Sequence, residues 1–173
     1  PDAARQSLTG FLTRIGKARP HVTLKLATSL DGCIALADGS SRWITGEPAR
    51  AHAHLERARC DAILVGANTV RSDAPKLDVR LPGLENRSPR RVMLGSGTAP
   101  EGWEVIRSPQ EVAGLNCNSL IVEGGAQTAA SFLRAGLVDR LMLYRAPILI
   151  GGGKPCLGDI GLDSLADAHE RWA

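Results

Sequence analysis

The chain is predicted to form an α/β domain around a mostly parallel central sheet flanked by helices, and three features of the sequence predict it. Short apolar, β-branched runs alternate with segments whose apolar residues recur at helical spacing, the order that builds a parallel sheet. Residues 119–133 compress that pattern into one strand, one double glycine and one helix start. Nineteen glycines and ten prolines supply the turns such alternation needs, and with aromatics at only 3% the core must be built from Val, Ile, Leu and Ala.

Residues 1–20 hold a weak amphipathic segment (Leu8, Phe11, Leu12, Ile15) and read as a helix or linker leading into the domain. Residues 21–29 alternate, with Val22, Leu24 and Leu26 on one face and Thr23 and Lys25 on the other, as a half-buried strand does. Lys25 is therefore a charge inside an otherwise core-like strand, and solvent on the sheet's other face would explain it equally well. Asp31-Gly32 signals a turn, after which 33–37 resume an extended run. The loop at 38–41 leads to Arg42-Trp43-Ile44-Thr45-Gly46 and a helix over 47–59, with Thr45 as its cap and Pro48 in its first turn.

Residues 62–67 form a short apolar strand ending in a second strand-to-helix corner at Gly66, where Asn68 or Thr69 can cap the following turn. Asp73-Ala74-Pro75 breaks that pattern and 77–80 look extended. Residues 82–89 are a polar surface loop, 91–94 a strand closed by Gly95-Ser96-Gly97, 103–106 another strand, and 109–115 at most a short helix.

Leu120, Ile121 and Val122 then read as a buried parallel strand. Gly124 and Gly125 let the backbone turn and approach a ligand closely, and a helix runs from Ala126 to about Ala135, with Gly136 as its stop. Such a corner offers free backbone N–H groups to an anion, although a tight turn without a ligand has the same sequence. Residues 139–146 are a further strand, 151–153 a glycine loop, and the last twenty residues loop with one short helix.

A chain of 173 residues suits one domain with a sizeable core. The net charge of +3 comes without a basic run or interleaved aromatics, which argues against a nucleic-acid binder; scattered arginines suit a small phosphate-bearing ligand. Cys33, Cys60, Cys117 and Cys156 form no CxxC and have no partner at metal-ligand spacing, so free thiols in a reducing cytoplasm are expected and no metal. No eighteen-residue apolar window suggests a membrane span, and residues 1–20 lack the pattern of a secretory leader.

Five ordered stretches carry a resemblance. They are Leu-Lys-Leu-Ala-Thr-Ser-Leu-Asp-Gly at 24–32, Ser-Arg-Trp-Ile-Thr at 41–45 and Ile-Leu-Val-Gly-Ala-Asn-Thr-Val at 63–70. Asp-Ala-Pro-Lys-Leu-Asp-Val-Arg at 73–80 and Ser-Leu-Ile-Val-Glu-Gly-Gly at 119–125 complete the set. Together they resemble the reductase domain of the bifunctional riboflavin-biosynthesis deaminase/reductase, over roughly residues 20–168.

The resemblance implies a dihydrofolate-reductase-like fold and NADPH-dependent reduction of 5-amino-6-(5-phosphoribosylamino)uracil, with hydride delivery to C1′ turning the ribosyl group into a ribityl chain. It implies substrate contacts at Ser41, Thr45, Arg57, Leu77, Arg80 and Glu123, with Lys25 on the same side. Arg57 and Arg80 would grip the 5′-phosphate by forked hydrogen bonds. On the cofactor side it implies Ala27, Trp43, Thr69, Asp73, Ser96 and the run Gly125, Ala126, Gln127, Thr128, Ala129, Ala130 and Ser131. Without that context Arg57 and Arg80 would read as solvated surface arginines, Trp43 as a core aromatic, Asp73 as a turn residue, and Glu123 as a turn carboxylate paired with a local arginine. Lys25 and Glu123 are the catalytic candidates; Asp73 and water remain open as proton sources.

The resemblance also implies a homodimer and fusion to, or association with, a zinc deaminase domain. The His-x-Glu and Pro-Cys-x-x-Cys signature of such a domain is absent here. Residues 1–19 are read as the linker or tail of that domain and 20–173 as the reductase domain. Family members continue beyond the equivalent of Trp172 with further strand, and the segment between Ser96 and Ser119 looks short, so a missing edge strand and a shortened C-terminus are expected. Two alternatives stay open: a related reductase acting on the diaminopyrimidinone before deamination, and an inactive nucleotide-binding or scaffolding module. Dihydrofolate reductase itself is disfavoured, because folate lacks the phosphate that two arginines would serve.

Overall fold

The alternation that begins the domain becomes β1, His21–Thr28, an inner strand of the main sheet. The computed structural model describes residues 2–168, with side chains from Leu8 onward; Pro1 and residues 169–173, Trp172 among them, lie outside the described residues. β1 is flanked by β6 (Ser119–Val122) and β7 (Arg140–Arg145), both parallel to it. Beyond β6 lie β3 (Ala62–Gly66), β4 (Arg90–Leu94) and β5 (Glu104–Ile106), so the strand order is β5-β4-β3-β6-β1-β7 and every pairing is parallel. The predicted α/β class is what forms. β2 (Cys33–Ala35) pairs antiparallel with β8 (Lys154–Pro155) in a separate ribbon. β8 was not expected, because two residues after a glycine run carry no strand periodicity.

Among the described residues four α-helices accompany the strands: α1 (Asp2–Lys17), α2 (Glu47–Ala58), α3 (Ala67–Asp73) and α4 (Ala126–Arg134). Alternate side chains of the strands feed two cores, one on each face of the sheet. Leu24, Leu64, Leu120 and Val122 pack with Ala129, Phe132 and Leu133 of α4. Ile63, Val65, Met93, Ile121 and Met142 pack with Ala67 and Val70 of α3 and with Leu77. Fully burying each such aliphatic side chain contributes about 1.5–3 kcal/mol. β3 is buried at all its positions, as its unbroken apolar run requires.

Local details correct three expectations. α2 is preceded at its cap by Gly46, which makes no side-chain bond, so Thr45 does not cap it. α3 starts at Ala67 behind Gly66, which puts Asn68 and Thr69 inside the helix rather than at its cap. Residues 77–80 form no strand: Leu77 adopts φ +54°, a left-handed conformation, and drives its side chain into the core. The stop at Gly136 (φ +64°) is as expected, its N–H donating to the Leu133 carbonyl.

The N-terminal edge of the sheet is fastened through Asp139, just before β7. Its carboxylate accepts from Arg19 (2.5 and 2.9 Å), from Lys17 (2.9 Å) and from the Val22 amide (3.0 Å). Arg14 of α1 donates to the Leu115 carbonyl at 2.6 Å. α1 is thereby tied to the edge opposite the strands' C-terminal ends, with Leu8, Phe11, Leu12 and Ile15 left exposed.

Candidate active site

Open α/β sheets bind ligands outside the C-terminal ends of their strands, and here that edge holds a cavity of about 360 Å³. Register builds its floor. Leu24 stands opposite Val122, so the next residues, Lys25 and Glu123, emerge side by side from β1 and from the end of β6. The Glu123 amide donates to the Leu64 carbonyl at 2.9 Å, which ties that residue to β3 as well. Lys25 is also level with Met142, and Ala27 with Tyr144, on β7.

Glu123 is the hub. Its Oε1 accepts from Arg57 Nε at 2.7 Å, and its Oε2 from Arg57 Nη2 at 2.9 Å and Lys25 Nζ at 3.4 Å. Arg57 Nη1 donates to the Asp78 carbonyl at 3.0 Å. The Glu123 side chain is 8% exposed, Arg57 14% and Lys25 17%. Burial alone would raise the Glu123 pKa, but the hydrogen bonds from Arg57 and the charges of Lys25 and Arg57 outweigh it and hold the carboxyl below its usual range. For Arg57, burial pulls the pKa down and the Glu123 contacts pull it further up. Glu123 and Arg57 thus stay charged together at neutral pH.

Of the candidates from sequence, Lys25, Ala27, Ser41, Trp43, Thr45, Arg57, Thr69, Asp73, Arg80, Glu123 and Gly125 line this one cavity. Trp43 is 65% exposed, so it is no core aromatic. Arg57 is no solvated arginine either, but the forked edge expected to grip a phosphate is engaged by Glu123. Leu77 is 6% exposed and belongs to the core rather than the lining.

Ser96, Ala126, Gln127, Thr128, Ala129, Ala130 and Ser131 also lie outside the lining. Ser96 sits in an exposed turn whose carbonyl accepts from Arg71. Thr128, Ala129 and Ala130 are buried, and Ser131 donates to the Thr128 carbonyl. No side chain caps α4 at Gly125, so what this run offers a ligand is first-turn backbone rather than side chains.

Three polar lining residues outside the five stretches went unnoticed in the sequence. Arg50 and His54 precede Arg57 at helical spacing on α2, a periodicity that could have found them. Tyr144, the chain's one tyrosine, lies on β7, and no motif marks it. His54 Nδ1 is 3.1 Å from the Asp78 carbonyl and 3.3 Å from the Arg80 amide. Burial and then the charges of Arg57 and Arg80 lower its pKa and keep it neutral. Tyr144 is pushed up to about 12, first by burial and then by Glu56 and Glu123, and stays a hydroxyl; its oxygen lies 2.6 Å from His52 Nδ1.

The cysteines take no part. Burial raises Cys60 to about 12 and Cys117 to about 11, so both stay thiols. Among the described residues, no cluster of His, Cys, Asp and Glu could hold a metal ion, and no helix is long and apolar enough to cross a membrane.

Known proteins share this sequence pattern and fold. The chain is 42% identical over 168 residues to the riboflavin biosynthesis protein RibD of Mycobacterium tuberculosis, covering 88% of this chain and 49% of that protein. It superposes on Acinetobacter baumannii RibD with a TM-score of 0.81 at 29% identity, covering 96% of this chain and 57% of that one. A Thermotoga maritima diaminohydroxyphosphoribosylaminopyrimidine deaminase/5-amino-6-(5-phosphoribosylamino)uracil reductase gives a TM-score of 0.78 at 28% identity, covering 94% and 56%. The chain spans about half the length of the curated relatives it matches. The fold is the dihydrofolate-reductase-like one expected from sequence. The family model of the RibD C-terminal domain matches residues 20–171, and the chain belongs to that family.

Proposed function

We propose that this chain reduces the ribosyl group of 5-amino-6-(5-phosphoribosylamino)uracil to a ribityl chain, with NADPH as reductant, in riboflavin biosynthesis. The observation that carries the reading is the Lys25–Glu123–Arg57 cluster on the floor of a cationic cavity at the strands' C-terminal edge. At about 360 Å³ the cavity falls within the roughly 300–1,000 Å³ common for small-molecule sites.

Each residue has a task that its surroundings suit. Glu123, kept ionised, accepts hydrogen bonds from the substrate's N–H or hydroxyl groups while Arg57 holds it in place. Lys25 has N–H donors beyond the one facing Glu123, and it serves as the proton donor that reduction of an opened ribosylamine requires. NADPH, when bound, supplies the hydride. The residues that would hold it are Ala27, Trp43, Thr69, Asp73 and the uncapped start of α4 at Gly125. An exposed indole and the uncapped start of a helix, lining one cavity, suit a large anionic dinucleotide. The same reading makes the chain a cytoplasmic homodimer, fused to or associated with a zinc deaminase domain.

The test is oxidation of NADPH with the phosphoribosylamino-uracil, followed by nicotinamide absorbance, with the diaminopyrimidinone in parallel. Turnover on the uracil is expected, falling roughly 10²–10⁴-fold in Lys25→Ala. Turnover on the diaminopyrimidinone alone would move reduction ahead of deamination, and absence of NADPH binding would refute the assignment.

A further inference from the structure

Two neighbours hold the Lys25 ammonium. Among the described residues it has one acceptor, Glu123 Oε2 at 3.4 Å, a looser contact than the 2.7 and 2.9 Å bonds from Arg57 to the same carboxylate. The second neighbour is the Tyr144 ring, whose centre lies 5.8 Å from Nζ, inside the roughly 6 Å at which an aromatic face attracts a cation. Register brings the two together. Lys25 is level with Met142 and Ala27 with Tyr144, so strand alternation puts all four on one face of the sheet. Ala27, directly beside Tyr144, has too short a side chain to fill the space between the ring and Lys25.

A ring face suits an ammonium that must give up a proton. It steadies the positive charge without competing for the proton, as a second carboxylate would. The N–H donors not turned to Glu123 therefore stay open to a ligand.

The ring is itself tied down. Its hydroxyl oxygen lies 2.6 Å from His52 Nδ1 and 3.3 Å from Met142 Sδ, and the His52 and Tyr144 rings meet edge to face. The hydroxyl gives its one proton either to Nδ1 or to the sulfur, and in the second case Nδ1–H donates to the phenol oxygen. One helical turn on, Glu56 of α2 accepts from Arg140 of β7 at 2.8 Å. His52 and Glu56 are four residues apart on α2, as Tyr144 and Arg140 are on β7, so two ties fasten that helix to that strand. Filling space would need only a phenylalanine; the bond to an exposed histidine fixes where the ring lies.

We infer that Tyr144 is a positioning residue for the reaction: its ring, set by His52, holds the Lys25 ammonium at the cavity floor with its free N–H donors toward the substrate. The inference rests on the reductase reading, which gives Lys25 its task as proton donor.

Steady-state kinetics of the whole chain with NADPH and the phosphoribosylamino-uracil test it in Tyr144→Leu, Tyr144→Phe and His52→Ala. Tyr144→Leu is expected to lower kcat about two- to thirtyfold, the span of a cation–π contact. KM should stay unchanged, as loss of an interaction made only in the transition state requires. Tyr144→Phe keeps the ring face and should recover most of that loss. His52→Ala should match the small loss left in Tyr144→Phe, and the double variant should lose no more, because both break one bond from either end.

Two readouts are independent of turnover. In NMR spectra the Lys25 ε-methylene protons should carry an upfield ring-current shift in wild type and Tyr144→Phe, and lose it in Tyr144→Leu. The chain has one tyrosine, so the tyrosine doublet in ultraviolet resonance Raman reports on Tyr144 alone and should change in His52→Ala. Absence of the ring-current shift from wild type overturns the inference, and an unchanged Raman doublet in His52→Ala removes the anchor it requires. A Tyr144→Leu loss confined to KM, or a kcat loss that Tyr144→Phe fails to recover, overturns it too. Unchanged kcat in Tyr144→Leu removes the positioning role alone. If wild type shows the shift yet oxidises no NADPH with the uracil, the placement of Lys25 stands and the reductase reading falls.

Discussion

Glu123 sits almost out of water with two cations on its two oxygens, and that balance makes a specific demand on mutagenesis. Glu123→Gln keeps the shape but leaves Arg57 and Lys25 uncompensated beside it. Breaking a buried pair from one side costs about 3–5 kcal/mol, so urea unfolding should show a loss of that order together with lost turnover. Adding Arg57→Met should return part of the stability and none of the activity, because it removes the orphaned charge without restoring the acceptor. Equal stability of Glu123→Gln and wild type would mean that the ion pair is not formed in solution. Lys25 and Glu123 were legible as candidates because each is a charge placed where a core residue or a tight corner would be expected, whereas Arg57 stood out only through the resemblance, since a helix surface is an ordinary place for an arginine. Arg57's actual partner was not legible, since nothing local to residue 57 says that residue 123 will stand beside it. Tyr144 was illegible for the same reason: its place depends on β7 pairing with β1 at Ala27.

The corner between β6 and α4 is set by two glycines and a threonine. A Cβ on Gly124 would collide with the Thr128 Cβ, and one on Gly66 with its Oγ1, so α4 can approach the ends of β6 and β3 only where both lack side chains. Gly124→Ala should therefore cost about 1–3 kcal/mol, the range of core overpacking, and push the first turn of α4 away from the cavity. The double variant with Thr128→Ala should regain most of the loss in thermal melts. If Gly124→Ala melts like wild type, the close approach is absent. Gly124 was visible in sequence as part of a turn, but the reason for it lies four residues later on a helix face, at Thr128. Strands and helices were legible for the opposite reason, because periodicity is local: β1, β3 and α2 follow it closely. The caps at Gly46 and Gly66 were not, since a nearby Thr or Asn reads as a better cap than the glycine that the chain's path selects.

Across the whole molecule, titratable groups strain in one direction at both edges of the sheet. At the N-terminal edge His21 is lowered from an ordinary value near 6.5, chiefly by burial and then by neighbouring cations against Asp139. At the C-terminal edge His54 is lowered in the same way by burial and by Arg57 and Arg80. For both, the unfolded chain binds more protons between the folded value and about 6.5, so stability declines as pH falls through that window. Glu123 and Asp139 are lowered too, burial opposing and their cationic partners prevailing. Their contribution is complete above the ordinary carboxylate values of 4.5 and 3.8 and is lost as pH falls below them through the depressed folded values. Melting temperature should therefore decline gently below about pH 6.5 and steeply once the carboxylates titrate. His54→Gln should remove its share of the gentle part and leave the steep part unchanged, and Asp139→Asn should lower the plateau while blunting the steep part. A melting temperature constant from pH 7 to pH 5 would show that the histidines are not held neutral. Because the two edges lose stability in the same direction, acid should loosen the anchoring of α1 and the site's ion cluster together, and activity measured in that range must be corrected for unfolded chain before any catalytic pKa is assigned.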